Sequence, residues 1–599
     1  MRVVLLSAVL VLLPLSVQAF EVGGRLEGDT LWQGEVVLAE DVLVPQGTTL
    51  TLGPGTVLKA AEHFGSRSSP EYLASEVELI VKGTLVIKGQ RERPVRMLPQ
   101  GTRWAGIVLD GGVARITYLH IQGAETGLYC LNCTAELQGA VFRGNHYGVV
   151  LQGRGSTMVL QDAELRGNRY GLLMLQGPKL RLQNARVEGN EVLDVHEQAT
   201  EEFRAPSEPS APAPEAEASM FIPEPITLLT DTVWSGRVVV AEVVKVAPGA
   251  KLIIMPGTVV EFLFTDTNRD GIGQSGLLVQ GTLWAKGTVQ RPIRFTAALK
   301  RKGAWEGLSF MASDRAQNIL EHCILEYAYR GLHSHFSLLR VEASVLRENF
   351  IGMQFQDSEV DIRETKFLQN IKALQFRDSV ARLTGNLLRG NYTGLNALRS
   401  EVVFRDNLVE GHIIEGLKLR ESRGELSFSR FLSNRKGLQV LDSQGFFRNG
   451  VVKGNLEGGL YVKNSTFSIQ DSVFSHNGLN GLYIEASSGT VKGNHILRNG
   501  LHGLSMNGFR GEVAYNLIQG NEKNGIALKG IDGKIFANAI FGNGEYEMGI
   551  KTSQGVDARH NWWGSTVEKE IERKIFDQRD DIKLGRVRYK PYLKKRLVL

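Results

Sequence analysis

Between His333 and Lys529, side chains able to bind or transfer protons return at fixed spacing. One series runs His333, Gln354, Gln375, Asn396, Lys418, Gln439, Tyr461, Tyr483 and Ser505. A second, two residues further on, runs His335, Gln356, Arg377, Leu398, Arg420, Leu441, Lys463, Glu485, Asn507 and Lys529. Amide, hydroxyl, aromatic and cationic groups in such columns suit a polysaccharide, an acidic one above all. The candidate ligand-binding residues are His333, Gln354, Gln375, Arg377, Lys418, Arg420, Tyr461, Lys463, Tyr483 and Glu485, with Tyr461 and Tyr483 as aromatic anchors. The competing reading is a solvated face chosen for solubility. Hydrolysis of a glycosidic bond needs two carboxylates about 5–9.5 Å apart. Glu485 has no acidic neighbour one repeat before or after it, so no catalytic residue is assigned. Asp266-Thr267-Asn268-Arg269-Asp270-Gly271 has the spacing of the first half of a calcium loop, with Asp266, Asn268 and Asp270 as candidate ligands. Leu277 stands where the bidentate Glu would be, and an ordinary acidic turn is the alternative. His333 and His335 point the same way on one segment, with His322 one coil earlier, a second and softer candidate ligand set.

These columns need elements that repeat. From about 331 to 550 a small residue followed by an apolar one recurs every 21 to 22 residues, as in Gly352-Met353, Ala373-Leu374, Gly416-Leu417, Gly459-Leu460 and Gly503-Leu504. An Asn precedes most of them: Asn349, Asn370, Asn391, Asn434, Asn455, Asn477, Asn499, Asn521 and Asn543. The segments alternate apolar and polar, the period of a strand, and turn residues follow each one. A fixed period of this size without a helical stripe predicts stacked coils of short strands. Coils about 4.8 Å apart would turn each series into a polar strip. The asparagines read as structural: a buried turn amide must bond its own coil and the next.

The mature chain is expected to be exported. Met1-Arg2, the apolar run Val3 to Val17 and the cleavage box Val17-Gln18-Ala19 form a secretory leader over residues 1–19. No later apolar run is long enough to span a bilayer. The net charge of +5 is modest for 599 residues, and no basic block carries interleaved aromatics, which excludes nucleic acid as a partner. The 67 glycines fit a chain of tight turns. Three cysteines make no disulfide framework; Cys130 and Cys133 pair, hold a metal or stay as buried thiols, and Cys323 is expected inside a coil.

Residues 199–225, rich in Pro, Ala, Ser and Glu, break the periodicity and read as a linker. Both flanks of it open alike: Asp29 to Lys59 matches Asp231 to Glu261, Val81 to Arg96 matches Val279 to Arg294, and Arg103 to Ile107 matches Ala304 to Leu308. An unequal tandem duplication is expected, with a short array over 20–198 and a long one over 226–599 that ends in a cap built around Trp562-Trp563. The paired P-G-T-V and G-T-L-x-x-K-G segments, the Trp104 and Trp305 coils, the Gly/Asn repeat, H-N-W-W-G (His560 to Gly564) and Y-K-P-Y-L (Tyr589 to Leu593) resemble the exported right-handed parallel β-helix proteins of bacteria. That resemblance implies an all-β fold of two tandem right-handed parallel β-helices, and a periplasmic or extracellular protein that binds or organises a polysaccharide at the cell envelope. The pectin-hydrolase motifs of that fold are missing. Two other readings stay open: a polysaccharide lyase, hydrolase or epimerase with an atypical site, and a structural or metal-handling periplasmic factor in contact with envelope proteins.

Overall fold

The structure, a computed structural model, describes residues 20–61, 77–101, 103–152, 155–175, 177–191, 193–197, 220–267, 271–313 and 317–596. They form short parallel strands throughout, and one short helix, Glu568–Arg573, stands near the end. The all-β parallel coil read from the sequence is the observed architecture. The leader lies outside the described residues, as does most of the segment read as a linker, although Met220–Ile222 at its end pairs with Arg237–Val240 as the first strand of a coil. None of the described helices is long and apolar enough to cross a membrane. The chain divides into two compact units, Met1–Arg204 and Ala205–Leu599.

The opening coils of the two units share the same hydrogen bonds at matching positions. Asp29 accepts from the Thr49 amide at 2.7 Å, and Asp231 from the Lys251 amide at 2.9 Å. Thr56 and Thr258 each close a turn on the carbonyl three residues back, at 2.8 and 2.7 Å. The buried indoles of Trp104 and Trp305 donate to the carbonyls of Gln122 and Glu326, at 3.1 and 2.9 Å. In the first unit, Cys130 and Cys133 are joined by a disulfide; Cys323 in the second is free and buried. Limited proteolysis is expected to cut first between residues 198 and 219, because Pro/Glu-rich chain buries little apolar surface, and to leave two resistant fragments. First cuts inside 331–550 would contradict independent folding of the two units.

In the second unit a 15-stranded sheet takes the first strand of each coil, and a 28-stranded sheet takes the second and third. A typical coil is Lys366–Leu368, Lys372–Arg377 and Val380–Thr384, paired in register with Leu387–Arg389, Thr393–Leu398 and Glu401–Arg405. Large inward side chains such as Phe355, Phe367 and Phe404 fill the interior. The corners share one rule: a residue in the left-handed region is followed by a small polar residue that turns inward. Asp378-Ser379, Asp406-Asn407 and Gln369-Asn370 illustrate the three corners, with φ of 49°, 53° and 54° at the first residue of each pair. The inward residues bond coil to coil, so the sequence-predicted Asn column is one of three ladders. It runs from Asn349 to Asn543. A second passes through Thr365, Asn386, Asn407 and Ser429, and resumes from Ser472 to Asn561. A third consists of serines, from Ser337 to Ser487.

Carboxylates end the main ladder in both units. Glu547 accepts from Asn543, and Asp194 accepts from Asn190 Nδ2 at 2.8 Å in the shorter Asn145–Asn168–Asn190 ladder. The small residue of each repeat is explained by close approach: a Cβ on Gly437 would lie 2.3 Å from the Gly459 carbonyl oxygen and 3.1 Å from Asn455 Nδ2. At the far end, Asn561 of the H-N-W-W-G motif is the last rung of the second ladder, and Trp563 is buried. Trp562 bridges to Ala539, while Ile575–Phe576 extends the large sheet. Closure is therefore shared between the Trp pair, the helix and the segments that follow.

Candidate functional site

The polar columns stand on the second strand of each coil. Register pairs place His333, Gln354, Gln375, Asn396, Lys418, Gln439, Tyr461, Tyr483 and Ser505 in one line. The same pairs align His335, Gln356, Arg377, Leu398, Arg420, Leu441, Lys463, Glu485 and Asn507. Lys529 does not belong to the line, because the register slips after Met506 and Asn507 pairs with Gly530. The intervening Phe355, Phe376, Ala397, Leu419, Val440, Val462 and Ile484 are buried. Strand alternation thus aims the columns outward, as the sequence pattern predicts.

The strip is not uniform. At one end the Tyr461 hydroxyl donates to Glu485 at 2.9 Å and Lys463 Nζ lies 3.1 Å from the same carboxylate. The Tyr461 hydroxyl, then Lys463, hold the Glu485 carboxyl below its ordinary range. Burial, then Glu485, pushes the Tyr461 phenol up. The two tyrosine rings stack on each other, centroids 5.2 Å apart and planes 17° apart. Each ring therefore covers one face of the other. The neighbours of Glu485 in its column are Lys463 and Asn507, so no second carboxylate stands beside it there.

In the middle, Arg377 and Arg420 are exposed and loosely held. Arg377 reaches Asp378 only at 3.7 Å, and that carboxylate is gripped by Arg399 at 2.7 and 2.8 Å. Arg420 reaches Glu421 at 3.9 Å. Lys418 Nζ lies 4.0 Å from Glu415, whose carboxyl is raised by burial. Gln375 and Gln354 are half-buried beside them.

At the other end His333 is buried, with 8% of its surface exposed, so it does not offer a rim contact to a polymer. Its Nε2 lies 3.0 Å from Nε2 of His335, and its Nδ1 is 3.4 Å from an Arg330 nitrogen. Burial, then Arg330, lowers its pKa to about 3, so the ring is neutral. His322 does not join the pair: it is a corner residue at φ 48°, ahead of the first strand of its coil. Of the calcium candidates, Asp266 accepts from the Gly271 amide at 2.9 Å, the bond of a turn; Asn268 and Asp270 lie outside the described residues.

Residues 415–562 match the family described as the right handed beta helix region. A sequence comparison with curated proteins returns no match. Among solved structures, the chain is similar to a periplasmic alginate epimerase (9% identity, 88% of this chain and 78% of the other covered, TM-score 0.18). It is likewise similar to a mannuronan C-5 epimerase A-module from Azotobacter vinelandii (9%, 92% and 91%, 0.19). A third is a mannuronic acid-specific polysaccharide family 6 lyase from human gut microbiota (12%, 89% and 87%, 0.11). Strand order and in-register coils show a parallel β-helix fold, and residues 415–562 of it match the right-handed family.

Proposed function

We propose that this is an exported β-helix protein that binds an acidic polysaccharide along the strip from Gln354 to Glu485, holding or organising it at the cell envelope. The observation that carries the reading is the in-register alternation Arg377, Leu398, Arg420, Leu441, Lys463. A cation stands on every second coil, a repeat of about 10 Å from a coil rise of ~4.8 Å. An extended 1,4-linked sugar chain turns over at each unit and shows the same face at every second one, so a polyanion lying along the coil axis would meet these cations in step. Gln375, Lys418 and the Tyr461–Tyr483 edges supply hydrogen bonds beside them. Binding without chemistry is favoured over elimination or epimerisation, because a raised Tyr461 phenol is a poor proton acceptor at neutral pH.

An array of uronate-containing and neutral glycans tests this. Arg377→Gln/Arg420→Gln is expected to weaken binding to uronans at least tenfold, and added salt to weaken the wild type in the same direction. Tyr461→Ala/Tyr483→Ala is expected to lose binding too, with Tyr461→Phe between. No glycan bound, or equal binding by both double variants, would return the strip to plain solvated surface. Unsaturated ends or solvent-hydrogen exchange in a bound uronan would favour a lyase or epimerase instead.

A further inference from the structure

The coil carrying His333 and His335 differs from those that follow it. Its two imidazoles converge: the Nε2 atoms are 3.0 Å apart, with ring planes at 86°. Two nitrogens bound to one ion at ~2.0–2.1 Å in tetrahedral geometry would be about 3.3 Å apart, so an opening of a few tenths of an ångström would admit one. The flanking residues bring further donors to the same outward face. Met311 pairs in register with His335 on the preceding coil, and Gln354 pairs with His333 on the following one. The Gln354 Oε1 atom is shielded from solvent and makes no hydrogen bond among the described residues. Arg330 engages the Nδ1 side of His333, which leaves Nε2 as the nitrogen directed at the pair.

We propose that His333, His335 and Met311 form a binding site for monovalent copper, with the Gln354 carbonyl oxygen lining its open side. Two imidazoles and a thioether are a soft, neutral donor set, which selects Cu(I) over calcium, magnesium or manganese. The Arg330 guanidinium beside the pair is itself ion-paired with Glu306 at 3.4 Å, so the choice of ion rests on the softness of the donors. The site shares only Gln354 with the strip proposed for a polysaccharide, and His333 is buried away from the exposed cations.

The experiment is anaerobic Cu(I) titration of the purified mature chain against a chromogenic Cu(I) chelator, with X-ray absorption of the loaded protein. One equivalent is expected to bind with nitrogen and sulfur scatterers in the first shell. His335→Ala is expected to weaken it at least a hundredfold. Met311→Leu, which preserves volume, is expected to remove the sulfur scatterer and weaken binding about tenfold. Far-ultraviolet circular dichroism separates lost binding from lost fold, and His335 is a half-exposed residue whose truncation leaves the core intact. Cu(I) affinity that is the same in wild type, His335→Ala and Met311→Leu would overturn the site, leaving the 3.0 Å contact as a hydrogen bond between two rings. Preferential binding of Zn(II) would overturn the ion assignment.

Discussion

Asn455→Leu is expected to destabilise the second unit by on the order of 3–5 kcal/mol, although the two side chains have similar volume. Asn455 Oδ1 accepts from the Asn434 amide at 3.0 Å and from Asn434 Nδ2 at 3.1 Å. Its own Nδ2 donates to Asn477 Oδ1 at 3.0 Å and to the Phe431 carbonyl at 3.1 Å. Leucine would leave the Asn434 backbone amide and one of its two Nδ2 hydrogens without an acceptor in a fully buried corner, the other Nδ2 hydrogen keeping the Val409 carbonyl, and would remove a donor from Phe431 and from Asn477. A buried polar group left unpaired costs about 1–3 kcal/mol. Because each coil rests only on its neighbours, the damage should be local first. Hydrogen exchange is expected to accelerate around 431–480 before the ends of the array respond. Asn396→Leu, on the outer face of the array three coils earlier, is the control and should shift stability by less than about 0.5 kcal/mol. Equal urea midpoints for Asn455→Leu and the control would mean that the ladder adds nothing to stability.

His412→Asn is expected to remove an acid sensitivity from the fold. His412 stands in the main ladder between Asn391 and Asn434: its Nδ1 accepts from the Asn391 amide at 3.2 Å, and its own amide donates to Asn434 at 3.0 Å. Nε2 is buried with no partner among the described residues. Burial lowers its pKa to about 4 from the ordinary 6.5. Above pH 6.5 the ring is neutral in both folded and unfolded chains, and stability is at its full value. As pH falls from 6.5 to about 4, the unfolded chain takes a proton that the folded chain refuses. Stability therefore falls by about 1.4 kcal/mol per pH unit, roughly 3 kcal/mol in all, and levels off below pH 4. Asparagine does not titrate and restores the amide rung. The difference in unfolding free energy between His412→Asn and wild type, measured at pH 7 and at pH 4.5, should grow in favour of the variant. His333 and His502 are lowered in the same direction, so wild type alone would mix their contributions; the variant isolates one. A difference that does not change with pH would mean that the His412 site admits water or a proton freely.

The sequence by itself determined the coil, its period and the outward columns. Every coil stacks on a near copy of itself, so residues 21 or 22 apart fall opposite each other once strand alternation and one small residue per repeat are read. The alignment from His333 to Ser505 required nothing else, and it failed at Lys529 because a bulge near Met506 carries no local signature. The Asn column was legible because one residue type recurs; its His412 rung was not, because it changes type while keeping the place. The serine ladder and the Thr/Asn ladder looked like ordinary turn residues, and only the corner geometry, a left-handed residue followed by an inward polar one, shows that they are buried. Tertiary structure also decided what the columns present. The rotamers that stack Tyr461 on Tyr483, bury His333 against Arg330 and bring its Nε2 toward His335 depend on what the adjoining coils carry. Backbone register follows from repetition, whereas side-chain direction is settled by neighbours that each coil meets only after stacking.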